Sequence, residues 1–494
     1  MQRLIALVLA PLLLVTACGR GERDTGAAQG APSATDQGTD ALVLRVPRRG
    51  GLPRVTAYPN IDSTVWSASD NAPALDRVLS FDDDAGVLAF IDGRGFPGWI
   101  DFRMGSVTLA SRAKLHGVSS LDATSIFAIG ADGAVARFTP AGNWLLKPPR
   151  PVRSVFPQRD GSLLMLAAAT EGNRLWRVRP PGTDIADTLE LPSVDRALST
   201  QLSDRLYFVT SDHELIDVRT RRLQRGSAIS LRGHPVALAA TPSDDRLFVA
   251  TDSSRELSVI DPYRDRIAAR ITLPGDPADL RMDPFGRYLL VRAAKSDSVW
   301  VVAIGTARLI GTTHSAWRGD LPLVMPDGAV ALAQGKDVVL LDGETFRPKR
   351  RVIDGAADFW YAFQWLGFRP RAAGLDQPVQ FGQRDTTDTS ATAPAPAPVE
   401  STKTAPPARD TAVAAPKPAA RGFVVQFAAL LSESAARARA SQIRSGGLTA
   451  RVEPSQREGV TIYRVILGPY PTKDDADRAG RASGQSYWVY QEGQ

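Results

Sequence analysis

Cysteine, histidine and long hydrophobic runs are scarce in this sequence of 494 residues. The single cysteine, Cys18, excludes an internal disulfide and a metal cluster held by several thiolates. The four histidines do not stand at the spacing of metal ligands, so we expect loop or strand-end positions for them. Neither a Gly-x-Ser-x-Gly elbow nor a Walker phosphate loop occurs. The sequence therefore predicts no metal site, no cofactor and no catalytic residue that can be named.

Charge of one sign is not concentrated anywhere along the chain. Lys and Arg together number 59 and Asp and Glu 53, giving a formal net charge of +6. Because no long basic run stands out, a solvated surface is a better interpretation than a nucleic-acid interface. The acidic triplet Asp82 to Asp84 is not followed by an EF-hand pattern, so we expect a solvated turn and not a calcium site.

The first 18 residues have the features of a bacterial export signal. A short basic start precedes an apolar run from Leu4 to Val15, which is too short for a typical membrane span. Val15-Thr16-Ala17-Cys18 resembles a lipobox, which implies cleavage of residues 1–17 and acylation of Cys18. Gly19, where an Asp would stand for inner-membrane retention, implies an outer-membrane lipoprotein facing the periplasm. The alternative is an ordinary secretory signal with an incidental cysteine.

Two stretches have the composition of tethers. Residues 18–40 hold almost no apolar side chain, and residues 372–420 are rich in Pro, Ala and Thr. Such segments cannot bury enough apolar surface to fold, so we predict disordered connections.

Between the tethers, apolar strand cores repeat along the chain. Seven of them occur, at 86–90, 125–129, 162–166, 205–209, 246–250, 287–291 and 328–332. The last four begin 41 residues apart, at Arg205, Arg246, Arg287 and Gly328. A period near 40 with several short strands per unit is typical of a β-propeller blade.

These cores predict an all-β propeller of seven blades over residues 41–371, with six or eight blades left open. The strand-like stretch from Ala41 to Val55 is expected to close the ring beside the last blade. Residues 234–304 resemble the YVTN-type propeller repeats of bacterial surface and periplasmic proteins. A pair of β-sandwiches is the competing fold, but it would not keep the spacing. The aromatic run from Phe359 to Trp365 is expected to pack at ring closure, with a partner surface as the alternative.

The last 74 residues, 421–494, predict a small α+β domain of order βαββαβ, ferredoxin- or RNP-like. The first strand fits 423–429, a helix about 432–445, and two further strands 448–453 and 461–467. Thr472 with Asp475 forms a capping box for the second helix, and a last strand fits 486–491.

This domain resembles the SPOR (sporulation-related repeat) family. The shared residues are Val425-Gln426, Ala436, Ile443, Gly447, Tyr463-Arg464-Val465, Gly468-Pro469-Tyr470 and Ala476. The resemblance implies binding to peptidoglycan glycan strands that lack stem peptides and accumulate at the division septum. By motif position, we predict Gln426 and Arg464 as polar contacts and Trp488 as a stacking platform. Tyr487 is a further candidate, since the register of the last strand is ambiguous by one residue.

Structural roles compete with these assignments. Gln426 would then be an ordinary exposed strand residue, and Trp488 would pack against a helix. For the whole chain we expect a lipid-anchored envelope protein that binds denuded glycan and offers the propeller to a protein partner. The alternative is a wall-remodelling enzyme whose propeller carries the catalytic groups.

Overall fold

The computed structural model describes residues 41–365 except 253, and residues 422–491 except 431–432, 446, 458–459 and 484–486. All described residues belong to one compact unit, Thr39–Gln494. The predicted export signal, Cys18 and the two predicted tethers lie outside the described residues.

Short antiparallel strands dominate the larger part of the chain because its apolar cores are rich in Val, Ile, Leu and Phe and end at turn residues. The strand bounds are β1 Ala41–Pro47, β2 Arg54–Ala57, β3 Thr64–Ser67, β4 Leu75–Asp82, β5 Val87–Asp92, β6 Pro97–Asp101, β7 Ser106–Leu109, β8 His116–Ser119, β9 Ile126–Ile129, β10 Val135–Thr139, β11 Gly142–Leu146, β12 Val152–Pro157, β13 Leu163–Ala168, β14 Asn173–Val178, β15 Ile185–Leu191 and β16 Val194–Ser199. They continue as β17 Arg205–Thr210, β18 Glu214–Arg219, β19 Gln224–Ser230, β20 Pro235–Ala240, β21 Leu247–Thr251, β22 Glu256–Asp261, β23 Arg266–Thr272, β24 Pro277–Met282, β25 Tyr288–Ala293, β26 Ser298–Ala303, β27 Arg308–His314, β28 Leu323–Val324, β29 Val330–Gln334, β30 Asp337–Leu341, β31 Pro348–Val352 and β32 Asp358–Gln364.

Among the described residues, these strands form eight four-stranded sheets, so the propeller is confirmed and the predicted count of seven blades is wrong. Seven blades run in chain order: blade 1 is β4–β7, blade 2 β8–β11, blade 3 β12–β15, blade 4 β16–β19, blade 5 β20–β23, blade 6 β24–β27 and blade 7 β28–β31. The eighth, the closing blade, joins β32 to β1, β2 and β3. Each of the seven repeated cores supplies the second strand of one blade. The eighth blade was missed because its strands come from opposite ends of the propeller sequence.

The closing blade joins the ring through antiparallel pairing of β1 with β32, in which Val43 faces Ala362. The aromatic run of β32 packs inside this closure. The Phe102 and Phe363 rings stack with centroids 5.3 Å apart, and Phe81 meets Phe363 edge-on at 4.9 Å. Packing at ring closure is therefore confirmed for this run.

The inner strands are buried on both faces because blades stack face to face. All six residues of β17 are buried, whereas β23 and β27 on the outer rim each have one buried residue and otherwise alternate between exposed and partly buried ones. Separate apolar clusters fill the spaces between neighbouring blades, the one between blades 5 and 6 being built around Phe248, Leu289 and Trp300. At the centre of the ring, the first strands of several blades surround a cavity of about 510 Å³.

The C-terminal module has the predicted α+β order. Its elements are β33 Phe423–Leu430, α1 Glu433–Gln442, β34 Arg444–Ser445, β35 Leu448–Thr449, β36 Arg451–Arg457, β37 Val460–Tyr470, α2 Lys473–Ala482 and β38 Trp488–Gln491. The main sheet is antiparallel in the order β36-β37-β33-β38, and β34 and β35 form a small separate ribbon. Thr472 caps α2 as predicted, because its hydroxyl oxygen accepts the Asp475 backbone N–H at 3.1 Å.

Candidate functional site

Two neighbouring strands of the module, the central β33 and the edge strand β38, bring Gln426 and Trp488 together. The antiparallel register of β33 and β38 places Gln426 directly opposite Trp488, and Val425 opposite Val489. Directly opposed residues of adjacent strands project to the same face of a sheet. The amide and the indole that the sequence singled out therefore form one cross-strand pair.

The two faces of this sheet have different neighbours. One face carries Val425 and Leu467, which pack with Ala436 and Ala440 of α1 and Ala476 of α2. Both helices therefore cover the same side, which we call the helix face. The opposite side, which we call the open face, carries Gln426, Arg464, Trp488 and the apolar residues at alternate positions of β33 and β37.

The open face is not exposed, because the propeller covers it. Val424, Ile462 and Ile466 lie on this side, outside the helix-face core, and expose 0%, 2% and 1% of their surface. Gln426 is 5% exposed, and its Nε2 donates a hydrogen bond of 3.2 Å to Oδ2 of Asp245, in the turn between β20 and β21. The interpretation of Gln426 as an ordinary exposed strand residue therefore does not fit the structure.

Trp488 packs on the propeller and not on a helix of its own module. The guanidinium of Arg246 lies over the indole at 3.7 Å from the ring centroid. The indole also contacts the apolar cluster between blades 5 and 6. Within the described residues its Nε1 is buried and has no hydrogen-bond partner. Burial lowers the pKa of Arg246, and the neighbouring Asp245 and Asp261 oppose that shift.

Arg464 makes a third contact between the module and the propeller. Its guanidinium lies over the ring of Tyr263, in the turn between β22 and β23, at 4.8 Å from the centroid. Since Arg464 stands two residues from Ile466 on β37, it shares the open face with Gln426 and Trp488. Three of the four predicted contact residues thus lie on one face of the sheet.

Tyr487 is the fourth, and the structure places it on the other side. It precedes β38 and packs against the helix-face core. Its hydroxyl donates to Oδ1 of Asp477 at 2.7 Å, and burial raises the pKa of this phenol. The one-residue ambiguity in register is thereby resolved with Trp488 on the open face.

The residues that sequence reasoning missed are the propeller partners Asp245, Arg246 and Tyr263. Arg246 was visible as one of the 41-residue repeats, but nothing in the repeat distinguishes it from Arg205. Thr241 and Ser243 hold Asp245 in place, because both hydroxyls donate to its Oδ1, at 2.7 and 2.8 Å. A cleft of about 270 Å³ remains beside these contacts, lined by both the propeller and the module.

The histidines and the acidic triplet are the groups whose side chains have the chemistry of metal ligands. His213 and His234 are 21 residues apart in sequence, yet their rings meet edge to face with centroids 5.4 Å apart. Two imidazoles are fewer than a zinc site needs. Oxygen atoms of Asp82, Asp83 and Asp84 lie within 4.8 Å of one another, but Asp82 accepts the Ala85 N–H at 2.9 Å as a turn residue does.

These observations define the class: an eight-bladed β-propeller followed by a small α+β module. Residues 419–482 match the family model of the SPOR domain, so the chain carries a SPOR domain. SPOR domains bind peptidoglycan, so this part of the chain belongs to a family of binding domains.

The propeller resembles solved structures at low sequence identity. AztD from Citrobacter koseri is 11% identical with a TM-score of 0.50, covering 66% of this chain and 98% of that one. Dihydro-heme d1 dehydrogenase NirN in complex with DHE is 13% identical with a TM-score of 0.47, covering 65% of this chain and 75% of that one. At this identity the AztD likeness shows the fold alone. No curated protein matches the sequence significantly.

Across 41–365 and 422–491, leaving out the gaps given above, no helix has the length and apolar character needed to cross a membrane.

Proposed function

We propose that this protein binds denuded peptidoglycan glycan strands at the division septum through the open face of its SPOR domain. The observation that carries the proposal is the cross-strand pair of Gln426 and Trp488, with Arg464 on the same face. A glycan strand without peptides presents hydroxyl and N-acetyl groups together with flat, apolar sugar faces. An amide can donate to and accept from the polar groups, and an indole can stack on the sugar ring.

In this proposal the rest of the chain sets the location and the partners. Acylation of Cys18 anchors the N-terminal end in the outer membrane facing the periplasm, since two or more acyl chains give stable attachment. The propeller offers its large surface to a protein of the division or wall-remodelling machinery. Support for a non-catalytic role comes from the SPOR match, which identifies a binding domain.

The test uses the full chain fused to a fluorescent protein in growing cells. The wild type should collect at mid-cell, and Gln426→Ala combined with Trp488→Ala should disperse it along the envelope. Gln456→Ala is the matched control, because Gln456 lies exposed on the edge strand β36 and bonds Thr461 at 2.8 Å. Normal septal localisation of the double variant would show that the site assignment is wrong.

A further inference from the structure

We propose that the propeller and the glycan strand compete for the open face of the SPOR domain, so that docking on blades 5 and 6 holds the domain in a closed, non-binding state. This inference rests on the proposed function for the identity of the glycan. The docking itself rests on the contacts between the two parts.

Three of the four predicted glycan-binding residues each contact one propeller side chain. The Asp245 carboxylate accepts from the Gln426 amide, the Arg246 guanidinium covers the Trp488 indole, and the Tyr263 ring lies under the Arg464 guanidinium. Each propeller group offers what a glycan would offer at that position: an acceptor for the amide, a group to cover the indole, or a flat surface for the guanidinium. The same side chains cannot make both sets of contacts at once.

Burial of the open face excludes the glycan from it while the propeller is docked. With Gln426 only 5% exposed, a sugar polymer cannot reach the amide while the propeller is docked. The apolar residues Val424, Ile462 and Ile466 are removed from water in the same step, which favours the closed state.

The propeller surface is shaped for this close approach at Gly305, in the turn between β26 and β27. A Cβ added at Gly305 would lie 2.7 Å from Cε2 of Tyr487, closer than side chains pack. Glycine therefore lets the module sit against the propeller, and a larger residue there would push it away.

Two features favour release of the module from the propeller. Trp488 Nε1 is buried without a partner among the described residues, which is a cost that water or a sugar oxygen would remove after opening. The last propeller strand ends at Gln364 and β33 begins at Phe423, so the two parts are far apart in sequence. Because the module has a hydrophobic core of its own around Val425, Ala436 and Val465, it can leave the propeller while both parts stay folded.

The experiment measures binding of the full chain to glycan strands from amidase-treated sacculi, together with its small-angle X-ray scattering. Arg246→Ala removes a desolvated cation–π contact from the propeller side and leaves every predicted glycan-binding residue of the module unchanged. We expect its glycan affinity to rise up to about 30-fold, which corresponds to about 2 kcal/mol of closing free energy. Its maximum dimension in solution should increase.

Two further variants guard against misinterpretation. Gly305→Gln inserts a wedge against Tyr487 while keeping every contact residue, and it should also raise the affinity. Arg174→Ala is the matched control, because Arg174 pairs with Glu190 at 2.8 Å on blade 3, which makes none of the interface contacts described above. It should leave both affinity and dimensions unchanged.

The possible results separate the two proposals. If Arg246→Ala and Gly305→Gln open the chain but bind glycan no better than the wild type, competition is refuted while glycan binding stands. A wild type that is already extended in solution refutes the docking. If no form binds denuded glycan although the variants open, the proposed function fails, and the competition that depends on it fails as well.

Discussion

Asp283 allows a quantitative prediction about how the free energy of unfolding changes with pH, because its carboxyl group is fully buried in the turn between β24 and β25. Burial raises its pKa to about 6, although the backbone N–H groups of Phe285, Arg287 and Tyr288 donate to the carboxylate at 2.8 to 3.3 Å. The same turn contributes Gly286 to the cleft beside the SPOR domain.

The sign follows from proton binding. Between about pH 4 and pH 6 the folded chain holds the Asp283 proton more tightly than the unfolded chain does. The stability that this group contributes is complete below its unfolded pKa and is lost as the pH rises through about 6. A rise in pKa of about 2 corresponds to about 3 kcal/mol, and full burial leaves no solvent screening to reduce it.

The assay compares chemical denaturation of the wild type and Asp283→Asn at intervals from pH 4 to pH 7.5. The free energy of unfolding of the wild type, minus that of the variant, should fall by about 3 kcal/mol over this range. Taking the difference cancels the pH dependence that other carboxyl groups contribute to both proteins. Asp327 is one of them: burial alone would raise its pKa, but its hydrogen bonds with Lys349 and Tyr58 lower the pKa overall. A difference that does not change with pH would refute the assignment.

Four other outcomes are expected. Trp360→Ala should lower the free energy of unfolding by about 3 to 5 kcal/mol, because the buried indole fills the ring closure and donates to the Gly355 carbonyl at 2.8 Å; a denaturation midpoint equal to that of the wild type would contradict this. Thr472→Ala should cost about 1 kcal/mol of local stability at the start of α2, seen as faster amide hydrogen exchange at 474–476 and not in α1. Cys18→Ser should abolish acylation, and mass spectrometry that still finds an acylated product would disprove the lipobox. Sacculi incubated with the full chain should release no soluble muropeptides, whereas their appearance would favour the enzymatic alternative.

The SPOR domain was predictable because its signals are local. Each signal lies within a few neighbouring residues: the alternation of side chains from Val424 to Phe427, the Thr472 cap, and the small residues on one face of α2. The order of elements follows from them, and the structure has that order.

The number of blades was not predictable by counting cores. The second strand of the closing blade, β1, is separated by more than 300 residues from its partner β32, and no 41-residue spacing links the two. Only the pairing of Val43 with Ala362 reveals it as a blade of its own.

The docking of the SPOR domain was invisible for a related reason. Asp245 and Gln426 are 181 residues apart, and the chemistry of each suits a solvated turn or strand as well as an interface. The motif position of Gln426 predicts a contact residue, and in the structure its hydrogen-bond partner is Asp245 of the propeller.

The most direct test of binding to denuded glycan is co-sedimentation of the purified full chain with sacculi, before and after an amidase has removed the stem peptides. We predict enrichment of the full chain on the amidase-treated material, stronger still for Arg246→Ala and weak for Gln426→Ala combined with Trp488→Ala. Equal binding of all three forms to both preparations would contradict it.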